Sequence, residues 1–175
     1  MDAGLAHKLQ TDGPRTGLLL SRVVIGAFWL GQLTWKLPPT FGCPHGGFCM
    51  YVHKEIQYPL IPLYATFLAH VVAPAVYVWA WLTTVIEVVV GVSLLCGLLA
   101  RLGGLISLLW SLNLLIGLSG VPHEDPPAYI MLAVFGFLFL MEGAGPRANL
   151  DRRVVHPWLQ RTPPSWWATL LAIFT

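Results

Sequence analysis

The run APAVYVWAWLTTVIEVVVGVSLLCGLLA, from Ala73 to Ala100, carries a single charge, Glu87. A helix that crosses a bilayer needs about 20 mostly apolar residues, within a range of roughly 17 to 25, and this stretch exceeds it. Backbone amides in lipid must be satisfied within their own segment, so such a run is a helix. Three further segments share its character. Gly17 to Trp35 contains only Arg22, near its start; Leu102 to Gly120 has no charge and one amide, Asn113; Ala128 to Gly143 is short and meets charge only at Glu142. The alternating pattern of a membrane barrel strand is missing. The sequence therefore predicts an all-α fold: an integral membrane bundle of four helices.

Composition points the same way. Residues of the AVILMFWYC class make up 56% of the chain and charged residues 10%, against about 25% charged in an average soluble domain. A water-soluble chain of 175 residues has too little interior to hide so much apolar surface, so the expected surrounding is membrane lipid. A net charge of +2 is too small to suggest a nucleic-acid partner, and none is expected. The first span ends in Leu33-Thr34-Trp35-Lys36-Leu37-Pro38, which lacks the small residues of a signal-peptide cleavage site. It reads as retained.

Basic residues orient the spans, because cytoplasmic loops collect Lys and Arg. With the N-terminus inside, Lys8, Arg15, Arg22, Arg101, Arg147, Arg152, Arg153 and Arg161 fall at or near the cytoplasmic face, and only Lys36 and Lys54 remain outside. Both termini are then cytoplasmic, as in a multi-pass protein of the cell's inner membrane. A long outer loop runs from Lys36 to about Val72 between the first and second spans, and a short one from Val121 to Pro127. Pro38, Pro39, Pro44, Pro59 and Pro62 forbid one continuous helix through the long loop. Its stretch from Met50 to His70 mixes aromatic and aliphatic residues, as in a segment lying on the membrane surface. The chain divides into a cytoplasmic tail (1–16), a four-span domain (17–153) and a C-terminal segment (154–175). The Trp166-Trp167 run in that last segment is too short to cross, and suits the inner interface or a docking surface.

Glu87 is the residue a bilayer tolerates least. It lies roughly 20 Å along its helix from Arg101 at 1.5 Å per residue, near the midplane, where a bare carboxylate costs about 2.5 to 3.5 kcal/mol on insertion scales. It must face the bundle and find a partner or a proton. Asn113 reaches a similar depth on the next span, and Gln32 and Trp29 on the first are further donors. These four outline a polar pocket suited to a proton-accepting carboxylate or to a carrier such as a quinone. The same residues also suit a plain helix-to-helix clamp. Near the inner face, Arg22, Arg101, Glu142, Arg147 and Asp151 form an expected ion cluster locking the helix ends, with an anionic-lipid site as the sharper alternative.

Cys43 and Cys49 flank Pro44-His45-Gly46-Gly47-Phe48 in the outer loop. In an oxidising compartment a disulfide is the simplest reading. Free thiols, a redox-active pair, or a metal site with His45 are the alternatives, and the spacing is not that of the usual zinc motifs. No metal site is expected. Neither a dinucleotide loop, a haem-attachment motif nor iron–sulfur spacing appears, so no covalently bound cofactor is expected either.

Three ordered stretches, Glu87 to Arg101, Ser111 to Leu118 and Gly143 to Asp151, resemble the DoxX/DoxD membrane proteins. Glu87, Gly91, Gly97 and Arg101 match the spacing of that family's second-helix signature. Ser111-Leu112-Asn113-Leu114-Leu115 is similar to its Asn-containing third helix, and Gly143-Ala144-Gly145-Pro146-Arg147-Ala148-Asn149-Leu150-Asp151 resembles the glycine-rich turn after its fourth. Arg22, Gly26 and Lys36 sit suitably in the first helix. The likeness covers roughly residues 17–153 and implies a four-helix membrane fold. It further implies a subunit that touches the quinone pool, as DoxD does in thiosulfate:quinone oxidoreductase, where thiosulfate is oxidised to tetrathionate beside a DoxA-type partner. The alternative is a non-catalytic accessory subunit packed against a larger respiratory or photosynthetic membrane complex. Four spans without a visible repeat make a transporter the weakest of the three readings.

Overall fold

The computed structural model describes residues 3–143, 151–161, 166 and 168. Among them every regular element is helical: α1 (Ala3–Gly31), α2 (Gly47–Gln57), α3 (Pro62–Phe67), α4 (Val76–Cys96), α5 (Ala100–Leu118), α6 (Pro126–Glu142) and α7 (His156–Arg161). Helix α1 packs on α4 and α6, and α5 on α4 and α6, so the four long helices close a ring. Their shared core is Ile25 and Trp29 of α1, Val90 and Leu94 of α4, and Leu132 and Phe139 of α6.

Between α3 and α4 the chain does not leave the helical path. A π turn (Leu68–Val72) and a 3₁₀ turn (Ala73–Ala75) join them, giving one helical run of 35 residues from Pro62 to Cys96. Pro74 lacks an N–H and its ring crowds the preceding turn. A wide turn followed by a tight one absorbs that clash, as departures from regular helix commonly do. The expected second span therefore begins earlier than Ala73, and the outer connection is shorter than expected. Met50–His70 is accordingly not one surface segment: it splits into α2 and the start of the long run, separated at Tyr58–Ile61. Around Val52, Leu68 and Val72 these pieces form a second small core over one end of the ring.

Pro62–Cys96 and Ala100–Leu118 are long and apolar enough to cross a membrane, while Thr16–Gly31 and Pro126–Glu142 are shorter apolar helices. Less than half of the most apolar window of each long helix is buried inside the protein. Val78, Val85, Val89 and Val92 on α4, Leu109 and Leu112 on α5, and Ile130, Val134 and Phe137 on α6 all point outward.

Small residues set the distances within the ring. A Cβ on Gly136 of α6 would lie 2.6 Å from the backbone nitrogen of Leu108, and one on Gly104 of α5 would lie 2.5 Å from that of Leu140. The two backbones touch there because neither residue has a side chain, the usual means of close helix approach in lipid.

The turn from α4 to α5 is tight and unusual. Leu99 takes a left-handed φ of 51°, which costs a branched residue more than a glycine. The Asp151 carboxylate compensates by accepting the Leu99 N–H at 2.7 Å and the Ala100 N–H at 3.4 Å. The Ser93 hydroxyl bridges the carbonyls of Leu98 and Leu99 at 2.7 and 3.0 Å.

Candidate functional site

A cavity of about 180 Å³ lies where α2 and α3 meet the ring, walled by residues from α1, α2, the Pro62–Cys96 run, α5 and α6. Its wall is largely aromatic, with Phe28, Trp35, Tyr51, Phe67, Trp79 and Trp110 contributing faces or edges. Trp35 and Tyr51 lie against each other with ring centroids 4.9 Å apart, and Phe67 meets Trp79 edge-on at 5.8 Å.

Glu87 projects into this cavity and is 2% exposed. Its partner is Lys36, whose ammonium nitrogen stands 2.5 Å from Oε1. Lys36 is itself 4% exposed and lies 4.4 Å over the Trp35 ring, so its charge is held by a carboxylate on one side and a π face on another. Lys36 does not therefore serve as a solvated charge of the outer loop, the place its sequence position suggested. Helix α1 ends at Gly31, and successive turns bonded to Leu30, Gly31 and Leu33 carbonyls fold residues 33–36 back over the ring. Burial of a charged pair in low dielectric is unfavourable unless each member meets the other, and here they do.

The second Glu87 oxygen, Oε2, is buried without a hydrogen-bond partner, and so is the Trp110 indole N–H. Both residues line the cavity. Buried polar atoms are nearly always satisfied. One residue with a free acceptor and one with a free donor thus belong to the same cavity wall, a pair that matches a guest with one hydrogen-bond donor and one acceptor on an otherwise apolar body.

A second polar group stands across the same space. The Tyr64 hydroxyl donates to Asn113 Oδ1 at 3.1 Å and also lies within hydrogen-bonding reach of the Glu55 carboxyl. Burial pushes the Glu55 carboxyl up to about 7; Tyr64 opposes that shift and the nearby Glu124 charge adds to it. Burial likewise raises the Tyr51 phenol. Tyr129 of α6 lines the cavity and donates to Glu124 Oε2 at 2.5 Å.

Of the four residues expected to shape a pocket, Glu87, Asn113 and Gln32 all line this cavity. Gln32 Oε1 accepts the Trp35 indole N–H at 3.3 Å. Trp29 is fully buried in the core instead, donating to the Ser107 hydroxyl at 3.0 Å. Glu87 and Asn113 share the space but have different partners. Lys36, Glu55, Tyr64, Trp110 and Tyr129 were not anticipated. A signal for two of them was present: Lys36 and Lys54 alone broke the inward bias of basic residues, and Glu55 is the lone acid between Lys36 and Val72.

At the other end of the ring, Arg22 and Asp151 are both fully buried and their charges interact. Arg101 packs beside Gly143, whereas Glu142 is exposed. Arg147, the fifth member of the expected cluster, lies outside the described residues. Asp151 thus serves the α4–α5 turn as well as Arg22. Cys43 and Cys49 are joined in a disulfide with Cα atoms 5.2 Å apart, the expected pairing. Cys49 stands in the first turn of α2, the helix that supplies Phe48, Tyr51, Val52 and Glu55 to the cavity. Among the described residues no group of three or more His, Cys, Asp or Glu is placed to hold a metal ion.

Comparison with protein-family models, with curated proteins and with solved structures found no match to this chain.

Proposed function

We propose that this chain is a four-span protein of the cell's inner membrane, with both termini cytoplasmic, and that it serves as a subunit of a quinone-linked oxidoreductase of the DoxX/DoxD type. Lipid accounts for the apolar residues exposed along α4, α5 and α6. Such contiguous apolar surface needs a cover in any folded protein, and a bilayer supplies it on every side of a helical ring.

The quinone reading rests on one observation, the two unpartnered buried atoms on the cavity wall, Glu87 Oε2 and Trp110 Nε1. A quinone head group is a flat ring with carbonyl acceptors at its rim, and its reduced form carries hydroxyl donors there. The indole N–H and the Lys36 ammonium suit the carbonyls, the free carboxylate oxygen suits a hydroxyl, and the aromatic walls suit the ring. About 180 Å³ compares with roughly 150 Å³ for a cavity that accepts benzene. The chain's own contribution is to bind and orient the head group and to hold charge near it. Electrons enter from a partner, in the thiosulfate reading a DoxA-like subunit, with two thiosulfate ions giving tetrathionate and two electrons.

The test is binding of decylubiquinone to the purified protein in detergent, read by quenching of tryptophan emission. Saturable quenching that weakens about tenfold in both Glu87→Gln and Trp110→Phe is expected. Unchanged binding in both variants removes the cavity from the reading. The accessory-subunit alternative predicts no quenching, together with co-purification of a larger cofactor-bearing complex after gentle solubilisation.

A further inference from the structure

Reduction of a quinone consumes two protons, and a cavity with a largely aromatic wall has few polar groups through which to obtain them from water. The Lys36–Glu87 pair is a poor source, since both members are almost wholly buried and each holds the other's charge. Glu55 is different. It lines the cavity, is only half-buried, and sits on α2, one of the elements that cover this end of the ring.

The protein makes room for that carboxyl. A Cβ on Gly117 of α5 would come within 2.8 Å of the Glu55 carboxyl carbon and of Oε2, so the acid fills space that any other residue at 117 would take. The Tyr64 phenol beside it has one proton and two acceptors in reach, Asn113 Oδ1 and the Glu55 carboxyl. With Glu55 protonated, its own O–H can donate to the Tyr64 oxygen while Tyr64 donates to Asn113. With Glu55 ionised, the Tyr64 proton is drawn to the carboxylate and Asn113 loses it. On the outer side, Glu124 and Tyr129 form a hydrogen-bonded pair, with Glu124 between the exposed His123 and Asp125. The charges of Glu124 and Glu55 interact, as do those of Tyr129 and Glu55.

We infer that Glu55 exchanges protons between the outer aqueous side and the cavity, through the Glu124–Tyr129 pair, and delivers them to the bound head group. The inference rests on the quinone reading for the identity of that head group, but not for the exchange itself. The groups that set the carboxyl's behaviour come from each neighbouring element. Tyr51 and Lys54 share its helix, with the Lys54 ammonium 5.3 Å over the Tyr51 ring. Tyr64 belongs to α3, Glu124 to the α5–α6 loop and Tyr129 to α6. His70, on the π turn, is exposed and bonded to its own helix at the Thr66 carbonyl. The position near pH 7 follows from burial beside another acid and matches what a group must have to load and unload at neutral pH.

Infrared titration of the carboxyl C=O stretch in the ligand-free, full-length protein tests this. A carboxyl protonating near neutrality is expected in the wild type, absent in Glu55→Gln and moved to lower pH in Glu124→Gln. Its hydrogen–deuterium exchange should slow at least tenfold in Tyr129→Phe. No neutral carboxyl, a band that survives Glu55→Gln, or exchange indifferent to Tyr129→Phe overturns the inference. Gly117→Ala, which crowds the same carboxyl, supplies a second perturbation should Glu55→Gln fail to fold: the band must move, and an unmoved band counts against the assignment. Failure of the quinone reading has a separate signature, absence of decylubiquinone quenching at every pH while the Glu55 band still titrates.

Discussion

Replacing Lys36 by methionine removes the cation but keeps most of the side chain's bulk. Glu87, 2% exposed with its ammonium partner at 2.5 Å, is then a buried carboxylate without a counter-charge. Removing one member of a buried pair costs about 3–5 kcal/mol, whereas replacing both by groups of similar volume is often close to neutral. For a chain of this size each kcal/mol lowers Tm by roughly 2–4 °C, so Lys36→Met should unfold on the order of 10 °C below wild type. Glu87→Gln should fall by a similar amount, because it strands the buried ammonium. The double variant should recover most of the loss, so the two single losses, about 6–10 kcal/mol together, should exceed that of the double by a coupling energy of about 5 kcal/mol or more, above the range usual for contacting residues. The assay is thermal unfolding in a mild maltoside detergent, followed by far-ultraviolet circular dichroism for all four proteins. Strictly additive losses, or single variants within about 0.5 kcal/mol of wild type, would mean that the two residues do not hold each other inside the protein.

Four other expectations follow from the geometry. Gly136→Ala sets a methyl group against the α5 backbone at 2.6 Å and should destabilise by about 1–3 kcal/mol, as overpacking does; Gly17→Ala, with nothing within 4 Å, should be neutral or gain up to about 1 kcal/mol, and thermal unfolding of the two variants side by side compares them. Asp151→Ala removes both N–H acceptors of the strained α4–α5 turn and should cost about 1–2 kcal/mol or more, in the range of lost caps, with Asp151→Asn intermediate by the same assay. Glu55, raised from 4.5 to about 7, keeps its proton in the folded chain at pH values where the unfolded chain has lost it. Stability from this group is therefore full below about pH 4.5 and declines as pH rises through 7, by at most about 3 kcal/mol and less with the solvent access it retains; Glu55→Gln should flatten that decline, and a slope unchanged in the variant would contradict the assignment. Cys96 is the free cysteine among the described residues and is exposed near the proposed cytoplasmic end of α4. In intact cells it should react with a membrane-permeant maleimide and not with an impermeant one, and labelling by both would reverse the orientation.

The helical class was legible because apolar runs of this length would satisfy their backbones in lipid only as helices, and a helix occupies each of the four. The ends were less legible. Pro74 read as the edge of a span, but a π turn and a 3₁₀ turn carry the helix through it, an accommodation that depends on tertiary support rather than on local preference. Glu87 and Asn113 were visible as cavity residues because an acid and an amide deep in apolar helices demand a reason. Their partners were not visible: Lys36 and Glu55 come from the connection between α1 and the long run, Tyr64 from the first turn of that run, and the fold-back that brings them in is set by short turns and by packing against the ring. Trp29 was the converse. Its position on α1 suited a pocket, yet its indole N–H found Ser107 in the core. Nothing in the helical period of one segment distinguishes those two directions.

A structure of the protein determined after incubation with decylubiquinone is the most direct measurement of all. Density for the ring should lie between the Glu87 carboxylate and the Trp110 indole, with a rim oxygen within hydrogen-bond distance of each. A ring bound on the outer apolar surface, with only water between those two side chains, would contradict the account.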